Sequence, residues 1–112
     1  MEKKDIPDQG DIIWLNFNPS SGKEIIKTRP AFVLSRKIFN DRTGFAVVAP
    51  ITSTIRQNNL EIVLHKKMQT KGAVLVYQLR SLDYQSRQAT IIERSHRNTI
   101  RQVMEMASLI VS

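Results

Sequence analysis

The chain has 112 residues, 41% hydrophobic and 24% charged, with a formal net charge of +7. That balance describes one globular domain, residues 1–112, with an anionic partner. Nucleic acid is the first candidate, though charge alone does not separate RNA from DNA or from an acidic protein. The absence of cysteine excludes disulfides, thiolate metal sites and a Cys nucleophile, and no stretch has the roughly 18 apolar residues of a membrane span. Residues 1–11 (MEKKDIPDQGD) lack the apolar core of an export signal, so a cytoplasmic location is expected.

Residues 1–9 are polar, punctuated by Pro7 and then Gly10. Asp11 to Asn18 alternates, with Ile13, Leu15 and Phe17 against Ile12, Trp14 and Asn16, which predicts a strand. Pro19 to Gly22 is a loop by composition. The next stretch, Gly22 to Ser35 (GKEIIKTRPAFVLS), leads Glu24, Lys27, Thr28 and Arg29 into the apolar run Ala31–Leu34. It predicts a buried strand over 30–35 with Pro30 at its first residue, where a missing N–H is tolerated. Pro30 also holds Arg29 extended. The polar cluster thus sits at the lip of a core strand, as a site or as a solvated loop.

Lys37 to Asn40 has room for a single helical turn, closed by Asp41-Arg42-Thr43-Gly44. Phe45 to Ile51 predicts a strand broken at Pro50, with Thr52, Ser53 and Thr54 beyond it. Leu60–Leu64 alternates, and residues 66–71 form a basic loop ending at Gly72. Ala73–Leu79 reads as one long apolar strand, Ser81–Arg87 carries it into polar residues, and Ala89–Glu93 is a short strand. From Ser95, a plausible N-cap, the period becomes helical. Ile100, Val103, Met104, Ala107, Ile110 and Val111 share one face, of which Ile100, Val103, Met104 and Ala107 are read as core packing. Strands first and one helix last predict a mainly β (α+β) fold, a small antiparallel barrel or sandwich closed by a C-terminal helix.

Several of these pieces match a known family. They are Gly10-Asp11-Ile12-Ile13-Trp14, Pro19–Glu24 with Arg29-Pro30-Ala31, Pro50-Ile51-Thr52-Ser53, and Gly72 to Asp83 (GAVLVYQLRSLD). In this order they resemble the MazF/PemK toxins of bacterial toxin–antitoxin systems, over roughly residues 6 to 111. The resemblance implies an SH3-like β-barrel and a homodimer. It also implies sequence-specific cleavage of single-stranded RNA with no metal or other cofactor, and a cognate antitoxin that occupies the RNA groove. The family's catalytic Arg and Thr fall on Arg29 and Thr52, and its loop Glu falls on Glu24. Two departures stand out. Ile25, Ile26, Lys27 and Thr28 fill a gap where the family often has Gln and Gly, and Tyr77 stands where some members carry an acidic residue.

RNA needs no metal for cleavage when its own 2′-hydroxyl attacks the adjacent phosphate, leaving a 2′,3′-cyclic phosphate and a 5′-hydroxyl. The enzyme must move two protons and stabilise a doubly charged phosphorane. Arg29 suits the phosphorane because its planar guanidinium binds two oxygens at once and stays charged. Thr52 adds a neutral donor, and Glu24 is the general base or the group that orients Arg29. For RNA binding the candidates are Trp14, Lys27, Thr28, Ser53, Gln78, Arg80, Ser81 and Arg87. Trp14 either stacks on a base or is buried in the barrel. Arg80 and Arg87 either contact RNA or pair with Asp83 at the surface. His65 and His96 fall in no matched motif and are read as surface or capping residues. Two other readings use the same barrel: a non-catalytic toxin binding a protein target in the manner of the gyrase-poisoning CcdB family, and an SH3-like RNA-binding module that does not cut.

Overall fold

The computed structural model describes residues 5–18, 22, 27–55 and 60–111. Seven strands come with two helices: β1 (Asp11–Asn16), β2 (Thr28–Val33), α1 (Lys37–Thr43), β3 (Phe45–Thr52), β4 (Glu61–Val63), β5 (Ala73–Leu75), β6 (Arg80–Asp83), β7 (Thr90–Arg94) and α2 (Arg97–Val111). Every strand pair is antiparallel, along the path β4-β5-β3-β2-β1-β7 with β6 also on β3. The expected strands-then-helix order is present. Among the described residues the path has two ends, β4 and β7, so hydrogen bonds do not close it into a barrel.

Alternation along the central strands divides the core between two faces. Ile12, Phe32, Ala49 and Ile51 turn one way and pack with Val74, Val103 and Ala107, so α2 covers that face. Ile13, Leu15, Ala31, Val33 and Val48 turn the other way, towards Phe17, Leu82 and Tyr84. With both faces covered, β2 and β3 need apolar side chains in succession, which is why they read as continuous apolar runs. Phe17 and Phe32 are fully buried, each stabilising the fold by roughly 1.5–3 kcal/mol.

Four expectations are corrected. β2 begins at Thr28, so Arg29 and Pro30 lie inside the strand, not at its entrance. β3 runs through Pro50 to Thr52. Ala73–Leu79 is not one strand, because a 3₁₀ turn at Val76–Gln78 separates β5 from β6. The register explains the last two together. Ile51 pairs with Val74, whereas Val48, three residues earlier, pairs with Arg80, six residues later. The excess is the 3₁₀ turn, and the ladder on that edge skips Ala49 and Pro50, where a residue without an N–H is tolerated. Ser95 does not cap α2; the N–H of Asn98 donates to His96 Nδ1 at 3.2 Å instead. The core-packing part of the helical face, Ile100, Val103, Met104 and Ala107, packs in the core, while Ile110 and Val111 at its end are exposed, at 41% and 69%.

Candidate active site

Arg29 and Thr52 come together through strand register. Ala31 pairs with Pro50, and the same register continued by two residues sets Arg29 opposite Thr52. Opposed residues in an antiparallel pair share a face, with Cβ atoms about 5 Å apart. On the other side Arg29 pairs with the fully buried Leu15, so the guanidinium stem leaves the rim of the core. Its Nε is buried and has no hydrogen-bond partner among the described residues. Thr52 is 4% exposed, and its Oγ1 accepts from the N–H of Thr54 at 3.1 Å. A hydroxyl that already accepts in this way keeps its own proton to donate elsewhere. The corner therefore holds a cation whose Nε–H has no partner among the described residues, on the face that the continued register shares with the Thr52 hydroxyl.

Gly72 fixes Thr52 from behind. A Cβ built on Gly72 would lie 2.1 Å from the Thr52 carbonyl oxygen, and its φ of +124° is one that L side chains rarely adopt. The loop before Gly72 is tied to β7 by Glu93, whose carboxylate accepts from the N–H of Gln69 (3.0 Å), the N–H of Thr70 (2.6 Å) and Thr70 Oγ1 (2.6 Å). Burial alone would raise the Glu93 pKa. The Thr70 hydroxyl, the two amides and the charge of Lys71 outweigh it, and the net shift is downward.

Glu24 lies outside the described residues. The neck of the segment that carries it is defined. The N–H of Phe17 donates to Lys27 O (3.0 Å), the N–H of Lys27 to Asn18 Oδ1 (3.0 Å), and Arg87 Nη1 to the carbonyls of Asn16 (2.9 Å) and Asn18 (2.6 Å). Arg87 thus binds backbone carbonyls rather than Asp83, whose Oδ1 accepts from the N–H of Ser86. Trp14 is 46% exposed, which removes the reading of it as a barrel core residue. It lines a cavity of about 320 Å³ with Asn16, Thr28, Ser86, Arg87 and Gln88.

The remaining candidates are more spread out. Lys27 is exposed with a left-handed φ of 74°, and Ser53 is exposed just past β3. Gln78 ends the 3₁₀ turn, while Arg80 and Ser81 open β6 opposite Val48 and Val47. Val48 is four residues from Thr52, so this group sits roughly 13 Å along the strand from the Arg29 corner.

Asn16 and Gln88 were missed by sequence reasoning, since nothing local joins a strand to a loop so distant in the chain. The stacking of His65 on His96 was missed too, with ring centroids 4.0 Å apart and planes within 7°. Each Nδ1 accepts a backbone N–H, from Lys67 and Asn98 respectively. Burial, then the charges of His96, Lys67 and Lys66, hold the His65 pKa below its ordinary value. Parallel rings cannot aim both lone pairs at one ion, and no group of three His, Asp or Glu side chains among the described residues could hold a metal.

With the geometry in place, comparison with known proteins is informative. Residues 8–111 match the family described as the PemK-like, MazF-like toxin of type II toxin–antitoxin systems. The endoribonuclease toxin MazF of Escherichia coli strain K12 is 36% identical over 90 residues, 80% of each chain. The crystal structure of MazF (Form-I) from Deinococcus radiodurans superposes with a TM-score of 0.92 at 32% identity, covering 96% of this chain and 98% of that one. A MazE–MazF crystal structure from the same organism gives 0.84 at 30% identity, covering 96% and 97%.

Proposed function

This chain belongs to the MazF/PemK family of type II toxin–antitoxin toxins, and on that premise we propose that it is an endoribonuclease cutting single-stranded RNA through Arg29, Thr52 and Glu24. The observation that carries this reading is the corner where Arg29 faces Thr52, because its buried Nε–H lacks a partner among the described residues. A buried charged donor left unmet costs at least about 1–3 kcal/mol. A bound phosphoryl group removes that cost. The same contact strengthens as charge builds on the phosphorane, which is the requirement for lowering a barrier rather than merely binding substrate.

In this mechanism the 2′-hydroxyl attacks the neighbouring phosphorus and the 5′-oxygen leaves, giving 2′,3′-cyclic phosphate and 5′-hydroxyl ends. Arg29 holds the non-bridging oxygens in its fork, and Thr52 donates its hydroxyl proton to one of them. Glu24 takes the proton from the 2′-hydroxyl or orients Arg29. Lys27, Thr28 and Ser53 flank the corner and contact the strand near the cut, and Trp14 and Arg87 act beside Thr28. Gln78, Arg80 and Ser81 extend the track along β6. No divalent ion enters any step.

The D. radiodurans relative is solved together with MazE, which supports an antitoxin partner here that covers the RNA track. A homodimer and an SH3-like barrel are further parts of the proposal. Leu60, Val63, Tyr77, Leu109, Ile110 and Val111 are all exposed on β4, its flank, the 3₁₀ turn and α2, elements that contact one another, and a second copy is a natural cover for so much apolar surface. No helix among the described residues is long and apolar enough to cross a membrane, and we place the activity in the cytoplasm, where messenger RNA is translated.

The test is cleavage of a long mixed-sequence RNA in EDTA, wild type against Arg29→Ala, with the cut ends mapped. Discrete cuts with 5′-hydroxyl ends, lost in the variant, are the expected result. Folded wild type that makes no cut would sink the catalytic reading.

A further inference from the structure

The cavity beside Thr28 has a chemistry that the cleavage step does not use. We propose that it is a nucleobase pocket, which stacks one base of the substrate on Trp14 and selects, through Asn16 and Arg87, a base with a keto oxygen where adenine and cytosine carry an amino group, that is guanine or uracil. This inference rests on the endoribonuclease reading and deepens it.

Three observations carry it. First, an exposed indole face beside polar walls from β1, β2 and the β6–β7 loop is the combination that reads unstacked single-stranded RNA. Second, the polar walls have a fixed hydrogen-bonding sense. Asn16 Oδ1 accepts from the N–H of Asn18 at 2.9 Å, which ties the amide oxygen to the backbone and leaves both Nδ2 hydrogens as donors for a ligand. Arg87 Nη1 is pinned by two carbonyls, which fixes the plane of the guanidinium and the direction of its other donors. Two donor groups match the O6 and N7 of guanine or the O4 of uracil, whereas the amino group of adenine would face them as a third donor.

Third, the backbone is held in an uncommon state on either side of this cavity. Lys27 (φ 74°) and Gln88 (φ 55°) are the non-glycine residues with left-handed φ among the described residues; Gln88 lines the cavity and Lys27 adjoins Thr28. Such conformations persist where surrounding bonds over-determine them, and they concentrate at binding sites. Thr28 and Arg29 are consecutive in β2, so their side chains leave it on opposite faces. The base in the pocket and the phosphate at Arg29 are therefore read from the two sides of one strand end.

Trp14 is the only tryptophan in the chain, so its emission reports on the pocket directly. The experiment titrates the full chain with 2′-O-methyl oligoribonucleotides of the mapped cut sequence, which lack the attacking hydroxyl, and follows Trp14 emission alongside fluorescence anisotropy. In parallel, cut-site preference is mapped for wild type and for Asn16→Asp, which still accepts from Asn18 but replaces the donor with an acceptor. We expect quenching on binding and a preference for guanine or uracil at one position of the cut sequence. The variant should shift that position towards adenine or cytosine, with a ten- to hundredfold change in relative kcat/KM. Binding by anisotropy with unchanged Trp14 emission would overturn the proposal, as would an Asn16→Asp preference identical to wild type at every position. A wild type that binds and quenches but never cuts would instead sink the endoribonuclease reading and leave the base pocket standing.

Discussion

Two polar side chains at the edge of the core show opposite solutions to burial. Asn40 is 0% exposed and fully bonded: its Nδ2 donates to the carbonyls of Pro7 (2.7 Å) and Ser35 (3.2 Å), and its Oδ1 accepts from Ser35 Oγ. Its own carbonyl accepts from the N–H of Gly44 and from the Tyr84 hydroxyl. Arg29 keeps a buried Nε–H with no partner among the described residues. A satisfied network fixes the N-terminal segment, α1 and Tyr84 relative to one another, while an unsatisfied cation stores binding capacity at the cost of stability. The molecule thus separates the polar group that holds it together from the polar group proposed to act on RNA.

The widest separation should come from Arg29→Ala. Cleavage should fall by about two to three orders of magnitude. Thermal stability should hold or rise slightly, because the orphan donor is gone; a melting curve beside the cleavage assay checks both. Asn40→Ala should do the reverse. It leaves the Pro7 carbonyl and the Ser35 hydroxyl short of a partner and should cost roughly 3 kcal/mol in chemical denaturation, with kcat per folded molecule unchanged. A large loss of kcat in folded Asn40→Ala would show that the two regions are coupled.

Gly72→Ala lies between these extremes. The added methyl would collide with the Thr52 carbonyl oxygen, so the strand end must shift. Stability should fall by roughly 1–3 kcal/mol and cleavage by up to about a hundredfold, since sub-ångström placement of the donor matters. Full activity in folded Gly72→Ala would remove Thr52 from the proposed mechanism. The smallest effect concerns Glu93. Its folded pKa is lowered, so its stabilisation is complete above the unfolded value of 4.5 and is lost as pH falls through the lower folded value. Glu93→Gln should therefore melt below wild type at pH 7, and the gap should narrow in acid.

How much was legible follows from the range of each signal. Arg29 and Thr52 could be singled out because Arg29 precedes Pro30 and Thr52 follows Pro50 by two residues, each within a short motif, and the strand register that joins them is itself a product of apolar patterning. The Asn40 network was not readable: Lys37–Asn40 looks locally like a helical turn, and the partners lie at Pro7, Ser35 and Tyr84. The 3₁₀ turn was hidden because Val76 is apolar and buried like its neighbours in β5, so composition gives no sign of the three extra residues. Asn16 and Gln88 converge only through the β1–β7 pairing and the Arg87 clamp, which no local pattern records.

The neck formed by Phe17, Asn18, Lys27 and Arg87 has a consequence for how such a chain diversifies. Its bonds close a circuit at the base of residues 19–26. The positions around Glu24 are then open to change. Doubling the length of a closed loop costs only about 0.6 kcal/mol, a small penalty against the stability of a folded domain. Transplanting a different 19–26 segment that keeps Glu24 onto this frame should leave the Arg29 corner where it is while changing which transcripts are destroyed, making the scaffold a socket for new specificities.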